Sequence, residues 1–549
     1  MRFSKLARLW RTLRYLKLRQ IFFRLFYSLR NHLAPVNGIT LAGHSPPGKS
    51  SPGNLVVNAI RGNSMIPFLP GPPALTHPGR FTFINLTHDF GSSIDWNFSG
   101  FKKLWTYHLC YFEYLLQPGL TKEQGVALIH QFIGKLPTIR DGIEPYPASL
   151  RIINWVKFCL AHRIADPVID GSIAAHTHYL AKNPEYHIMG NHLLENAMAW
   201  YAGAIYSGYP EGAKNGYRLL IKQLNEQILA DGAHYERSAM YHQILLGRLL
   251  DVIHIVSIGG SHQEHIRQLT PFASSMLGWS MQICFEGQRI PLINDTSFDV
   301  APPLRQLEAY AHRLGIHPHR LQPGVSGFRK LKGALWEIVV DAGAPGPDYQ
   351  PGHAHAGALS YELYVKGNPV VVDTGTSTYN PGKRREWERS TLAHNCVTIN
   401  GADSSEVWAS HRVGRRAKIF IDKQASNLLQ VRHNGYSSQG VEIVRVFKHS
   451  PHSIVITDTV VPAKEGSKIT AEVISRIHFH PGCRVKLGVN SAVVEDVLDI
   501  HFEGAQSLEL LSYNYAPRFN QLFPAFVLEV KFLHKLTSVF NVFQNSTAL

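Results

Sequence analysis

At 549 residues the chain exceeds what one hydrophobic core ordinarily supports, so at least two domains are expected. Its 44% hydrophobic and 17% charged residues, with a mean hydropathy of -0.10, are the composition of a soluble globular protein. Five widely spaced cysteines without a CxxC pair argue against a disulfide framework and a thiolate zinc site, and the net charge of +15 is too unevenly placed for a nucleic-acid-binding face.

The charge sits in an N-terminal arm. The first 88 residues carry twelve Lys or Arg, nine of them within the first thirty, and no Asp or Glu precedes Asp89. Leu6, Leu9, Leu13 and Leu16 recur at helical spacing while Arg2, Lys5, Arg8, Arg11, Arg14 and Lys17 recur every third residue. Residues 1–34 therefore read as a basic amphipathic arm. It is too charged to span a bilayer and lacks the apolar core of a secretory signal. Two readings stay open: a helix in peripheral contact with an anionic membrane, or a helix docked on the body of the protein. Location is read as cytoplasmic or membrane-peripheral rather than periplasmic.

Residues 35–84 are rich in Pro, Gly and Ser and read as a linker or irregular wrap. Residues 85–325 read as helical. Thr121-Lys-Glu-Gln124 is a capping box before Val126, Ile129, Phe132 and Ile133, and further helical segments are expected at 149–164, 191–206, 217–230, 236–256 and 268–286. Short breaks between them indicate helical hairpins, in a bundle or a closed ring. Residues 326–549 read as short β-branched strands, among them 336–341, 358–365, 370–373, 395–399, 417–421, 428–432, 441–447, 453–461 and 470–480. An antiparallel β-sandwich is the simplest outcome.

Chemistry concentrates in two places. Asn191, His192, Glu195 and Asn196 cluster at a helix start, and Glu236 and Tyr241 follow about forty residues later. In the β-half, His353 and His355 are expected on one face of a strand. Asp373 ends an apolar run and His394 follows in Arg389-Ser-Thr-Leu-Ala-His394-Asn395. Three imidazoles and a carboxylate suffice to bind a metal and leave one histidine spare. Each segment alone also fits caps, core groups or ordinary sheet histidines.

Taken in order, Ser93-Ile-Asp95-Trp96-Asn97, Leu104-Trp105-Thr-Tyr107, Ser149-Leu-Arg151-Ile-Ile-Asn154-Trp155, the Asn191 cluster, the Tyr241 segment and the His353–Asn395 stretch resemble the heparinase II/III-type polysaccharide lyases. The resemblance implies an N-terminal incomplete α/α toroid and a C-terminal antiparallel β-sandwich. It also implies β-elimination of a uronate-containing acidic polysaccharide. Asn191 and His192 would neutralise the uronate carboxylate, and Glu195 would orient His192 or contact the sugar. Tyr241 would be acid, base or both, and His353 the second catalytic group. Tyr379 lies where some relatives place another catalytic tyrosine.

His355, Asp373 and His394 would ligate a structural Zn2+; no organic cofactor is implied. Gly357 stands where relatives often carry Asp. Trp96, Trp105, Arg151, Trp155 and Glu236 would line a glycan groove, the tryptophans being core residues on the alternative reading. Rival functions are a glycoside hydrolase using Glu195 and Glu236, a zinc hydrolase, and a non-catalytic glycan-binding protein.

Overall fold

A computed structural model describes residues 2–33, 66–258, 260, 262–464 and 471–544. The expected capping box forms. Thr121 Oγ1 accepts from the Gln124 N–H at 3.2 Å and Gln124 Oε1 accepts from the Thr121 N–H at 3.0 Å, opening helix Lys122–Lys135. Helices Pro145–Ala161, Gly190–Tyr206 and Ala239–Ile258 pack on one another and are buried along nearly their whole length. Lys122–Lys135, Pro167–Lys182, Pro210–Gln227 and Gln263–Ile283 form an outer layer around them.

Pro210–Gln227 shows why. Leu219, Leu220 and Leu224 are buried on one face, and the Lys and Arg positions face outward. Gly216 lets it approach its partner, since a Cβ there would lie 2.9 Å from the Tyr201 backbone nitrogen. This is the inner and outer layering of an incomplete toroid.

The last helix before the β-half ends at Arg313 and the next strand begins at Phe328. Phe328–Lys332, Trp336–Asp341, Tyr361–Val365 and Asn368–Val371 make a four-stranded antiparallel sheet in chain order. A second sheet runs Ile419–Ala425, Leu428–His433, Val441–His449, Ser453–Pro462, Phe523–Val542, Leu498–Tyr515, Ser491–Val494, Val485–Leu487. Burial alternates along Val441–His449, as period-two side chains require when one face is covered. Ile338, Val340 and Leu363 of the small sheet share one core with Val431, Ile443, Ile456, Val530 and Phe540 of the large one. The β-half is therefore a sandwich.

Three expectations need revision. The wrap expected over 35–84 is structured where it is described: strands Leu75–His77, Arg80–Phe83 and Leu86–Asp89 pair there. Phe68, Leu69, Phe81 and Phe83 join the helical core, while 34–65 lie outside the described residues. Helix Pro167–Lys182 was not expected, although Asp166 caps it by accepting from the Val168 and Ile169 N–H groups.

Residues 353–355 are loop, not strand. The arm forms two helices, Arg2–Leu13 and Leu18–Leu33, lying on the body. No helix among the described residues is long and apolar enough to cross a membrane, and all five cysteines are buried and free.

Candidate active site

The site is built where the helical half meets the sandwich. Helix Gly190–Tyr206 is entered through Met189 and its first residue Gly190, both at positive φ (65° and 63°). A Cβ at Gly190 would lie 2.3 Å from Glu236 Oε1 at a left-handed φ, so a side chain there would displace that carboxylate under backbone strain. That tight entry aims the Asn191 N–H at Glu236 Oε1 (2.9 Å) and places Asn191 Nδ2 3.4 Å from His353 Nε2. His192, the next residue, stacks on Tyr146 at 4.2 Å between ring centroids and pairs through Nδ1 with Glu185 Oε1 at 3.2 Å. Burial opposes protonation of His192, but the facing Glu185 outweighs it and raises its pKa above 6.5.

From the β-half, His353 stacks on the Tyr241 ring at 4.0 Å and 27°. Its Nδ1 lies 2.9 Å from Asp295 Oδ2 and its Nε2 3.6 Å from Glu236 Oε2. Tyr241 and Tyr379 meet at their hydroxyls, 3.3 Å apart. Burial drives both phenol pKa values upward, so both are neutral near pH 7. His411 stands edge-on to Tyr379 at 5.3 Å and to His353 at 6.4 Å.

Asp295 holds this wall together, and sequence reasoning missed it. It is fully buried and accepts from His353, from His355 Nε2 (2.8 Å), and from both Arg385 terminal nitrogens (2.5 and 2.7 Å). Although burial alone would raise its pKa, the Arg385 guanidinium and the two histidines hold it well below 3.8. The backbone is tied as well: the Asp295 N–H donates to the His353 carbonyl (3.1 Å) and the His355 N–H to Asn294 Oδ1 (3.0 Å). Asn294-Asp295-Thr296-Ser297, four polar residues directly after Leu292-Ile293, was the available signal. Glu185 was missed too, because it lies in the turn before the helix.

Asn191, His192, Tyr241, His353, Tyr379 and Glu236 are thus brought together, Glu236 as a buried bracket with a raised pKa, pushed up by burial, rather than a groove residue. Four expected groove residues are not at an open surface: Trp96, Trp105, Arg151 and Trp155 are core, each at most 2% exposed. Arg151 donates instead to the Cys110 and Gly142 carbonyls.

Glu195 does not orient His192. It is fully buried 3.4 Å from Arg248, and burial lifts its pKa to about 7. The carboxylate that faces His192 is Glu185. A hydrolytic pair of Glu195 and Glu236 is therefore not presented to a sugar.

The expected metal ligands separate into supported pairs. His394 Nδ1 lies 2.7 Å from Asp373 Oδ2 and His355 Nε2 is held by Asp295. Among the described residues no three His, Cys, Asp or Glu side chains converge as a metal cage. Asp373 therefore stands behind His394 rather than beside it as a third ligand. His355 Nδ1 and His394 Nε2 are nonetheless buried without partners, on rings 5.3 Å apart. Two unpartnered imidazole nitrogens, on rings each backed by a carboxylate, are of the chemical type that could hold a metal ion. A Cβ at Gly357 would lie 3.2 Å from the His394 ring, so this chain's glycine leaves room beside that ring. His355 also lines a cavity of about 10 Å³ with Asp341, Asn294 and Arg237.

Family comparisons agree with this architecture. Residues 169–319 match the heparinase II/III N-terminus model and residues 320–532 the heparinase II/III-like C-terminal model. The chain belongs to the heparinase II/III-like family. A heparin-sulfate lyase of Bacteroides stercoris is 25% identical over 246 residues, which is 39% of this chain and 36% of that protein. One from Pedobacter heparinus is 23% identical over 246 residues, 39% and 37% respectively, so these alignments span little more than a third of the relatives' length.

Among solved structures, a heparinase III superposes with a TM-score of 0.64 at 13% identity, covering 95% of this chain and 89% of the other. A heparan sulfate lyase from Pedobacter heparinus gives 0.57 at 14%, covering 93% and 85%. The helical region followed by the antiparallel β-region is the fold they share.

Proposed function

We propose that this chain is a lyase cleaving a uronate-containing acidic polysaccharide by β-elimination. The observation that carries the reading is the meeting of Asn191, His192 and Tyr241 from the helical half with His353 from the β-half. β-Elimination needs the uronate carboxylate neutralised, the C5 proton removed and O4 protonated. Asn191 Nδ2 is an amide donor, and the raised pKa of His192 favours its cationic form, so both suit the carboxylate.

Asp295 is anionic and accepts a hydrogen bond from the Nδ1–H of His353, which leaves the Nε2 lone pair as the base for C5. Tyr241, its phenol kept neutral by burial, suits protonation of O4. A metal held by His355 Nδ1 and His394 Nε2 would be structural, fixing the loop that carries His353; no proton transfer passes through it. The burial of Glu195 and Glu236 disfavours the hydrolase alternative.

The test is a panel of uronate polysaccharides assayed for the unsaturated product in the near ultraviolet. Wild-type protein should yield that chromophore on at least one polymer, and Tyr241→Phe and His353→Ala should each lower the rate about 10²-fold or more. Reducing ends without the chromophore would replace this reading with hydrolysis, and binding without any cleavage would replace it with glycan binding alone.

A further inference from the structure

We propose that the two arm helices form an interfacial anchor that seats the protein on an anionic phospholipid surface. The docked face and the open face of the arm are different. In Leu18–Leu33, Gln20, Phe23 and Tyr27 turn inward: Gln20 donates to the Ile188 and Tyr349 carbonyls, Phe23 packs on Tyr186 at 4.6 Å, and Tyr27 donates to the Pro184 carbonyl. Two residues on, about 200° round the helix, lies a second apolar stripe. Leu18, Phe22, Leu25 and Leu29 are 84%, 60%, 68% and 61% exposed. Leu6 and Trp10 of the first helix are 62% and 68% exposed. Ten of the large hydrophobic side chains exposed among the described residues belong to these two short helices. A monomer in water does not ordinarily display such a continuous stripe.

Charge selects the occupant. The arm has no acidic residue, and a bilayer is the one apolar partner that also offers a dense anionic rim. Arg24 of the arm and Arg412 of the body lie close enough that Arg412 adds to burial in lowering the Arg24 pKa. Arg24 Nε donates to the His187 carbonyl at 3.2 Å and Arg412 lies over the Trp408 ring, but among the described residues neither pairs with a carboxylate, so the two guanidiniums form a cationic step without a counter-anion beside the stripe. A lipid phosphate would satisfy it.

The arm is not a loose tether. Arg8 and Arg11 pair with Glu406, Lys17 with Glu226, and Trp408 Nε1 donates to Thr12 Oγ1 at 3.1 Å. It thereby bridges the helical half and the β-half beside the segments that carry His192 and His353. On the proposed lyase reading, an anchored molecule would hold the site of His192 and His353 near the membrane.

The experiment is flotation of the full chain with vesicles of phosphatidylcholine alone or with phosphatidylglycerol added, with no glycan present. Binding is expected on the anionic vesicles, weakened by high salt. Combined Leu18→Glu, Phe22→Glu and Leu25→Glu should lower it at least about tenfold, with the melting temperature unchanged. Equal binding to neutral vesicles, or undiminished binding by the variant, overturns the proposal.

Two further outcomes also overturn it. A concentration-dependent oligomer that the variant abolishes, without vesicle binding, means a second copy covers the stripe. A Leu25→Cys thiol that stays unreactive in the native monomer means the chain's own remaining segments cover it.

Discussion

Asp295 and Glu185 are carboxylates that touch no sugar in the proposed chemistry, yet each fixes the state of a histidine that does. Asp295→Asn keeps the size but offers His353 a donor as readily as an acceptor, so the Nδ1 proton is no longer assigned. We expect kcat to fall about 10²-fold or more with KM little changed, read by steady-state kinetics. The stability effect has a sign. The folded pKa of Asp295 lies well below 3.8, so its contribution is full above that value and is lost as pH falls through the folded pKa. Acid unfolding of Asp295→Asn should be less steep.

Glu185 acts in the opposite sense by raising His192. If cationic His192 neutralises the substrate, activity declines as pH rises through that raised pKa. Glu185→Gln should then move this limb of the rate profile to lower pH. An unmoved limb would remove His192 from that role. The two carboxylates escaped sequence reading for different reasons: the partners of Asp295 are 58 and 60 residues away and no local periodicity encodes such a contact, whereas Glu185, seven residues from His192, sits in a turn outside any helical pattern. Asn191, His192 and Tyr241 were legible because they sit at recognisable places on helices.

At the scale of elements, amphipathic helices and alternating strands were the most readable parts. Trp336–Asp341 falls where its β-branched run placed it, and the capping box marks its helix start. The short stretch 353–355 fooled the alternation argument. Its histidines converge because a loop carries both onto one carboxylate, not because a strand aligns them. The tryptophans failed for another reason, since aromatic side chains serve cores and grooves alike and only burial separates the two.

Two element-scale tests follow. Gly190→Ala must place a Cβ against Glu236 at positive φ, so the entry to the catalytic helix should distort. A loss of about 1–3 kcal/mol in thermal or denaturant unfolding is expected, together with a fall in kcat as Asn191 shifts. Zinc added to metal-stripped protein should raise its melting temperature, and His394→Ala should abolish that increment. A rise that persists in the variant would place the ion elsewhere.

Across the whole molecule, Arg385 and Asp295 join the two halves through a buried pair with two nitrogen–oxygen contacts. Removing one partner of such a pair leaves a buried charge uncompensated and costs about 3–5 kcal/mol. Arg385→Leu is therefore expected to lower the melting temperature and to split one calorimetric transition into two, as the halves lose their coupling. A single transition at the wild-type temperature would show that the interface stands without this pair. The two-domain order was legible because composition changes character between 313 and 328, whereas the contacts across the junction were not.

The division of labour across that junction also bears on synthesis. A ribosome makes the helical half first, complete with Asn191, His192 and Tyr241. The nascent helical half nevertheless lacks the proposed base, because His353 and the Arg385 that steadies its partner Asp295 come later in the chain. On the proposed chemistry, cleavage would be withheld until the sandwich has been translated and has docked. A fragment ending ahead of His353 should capture acidic glycans weakly and cut none.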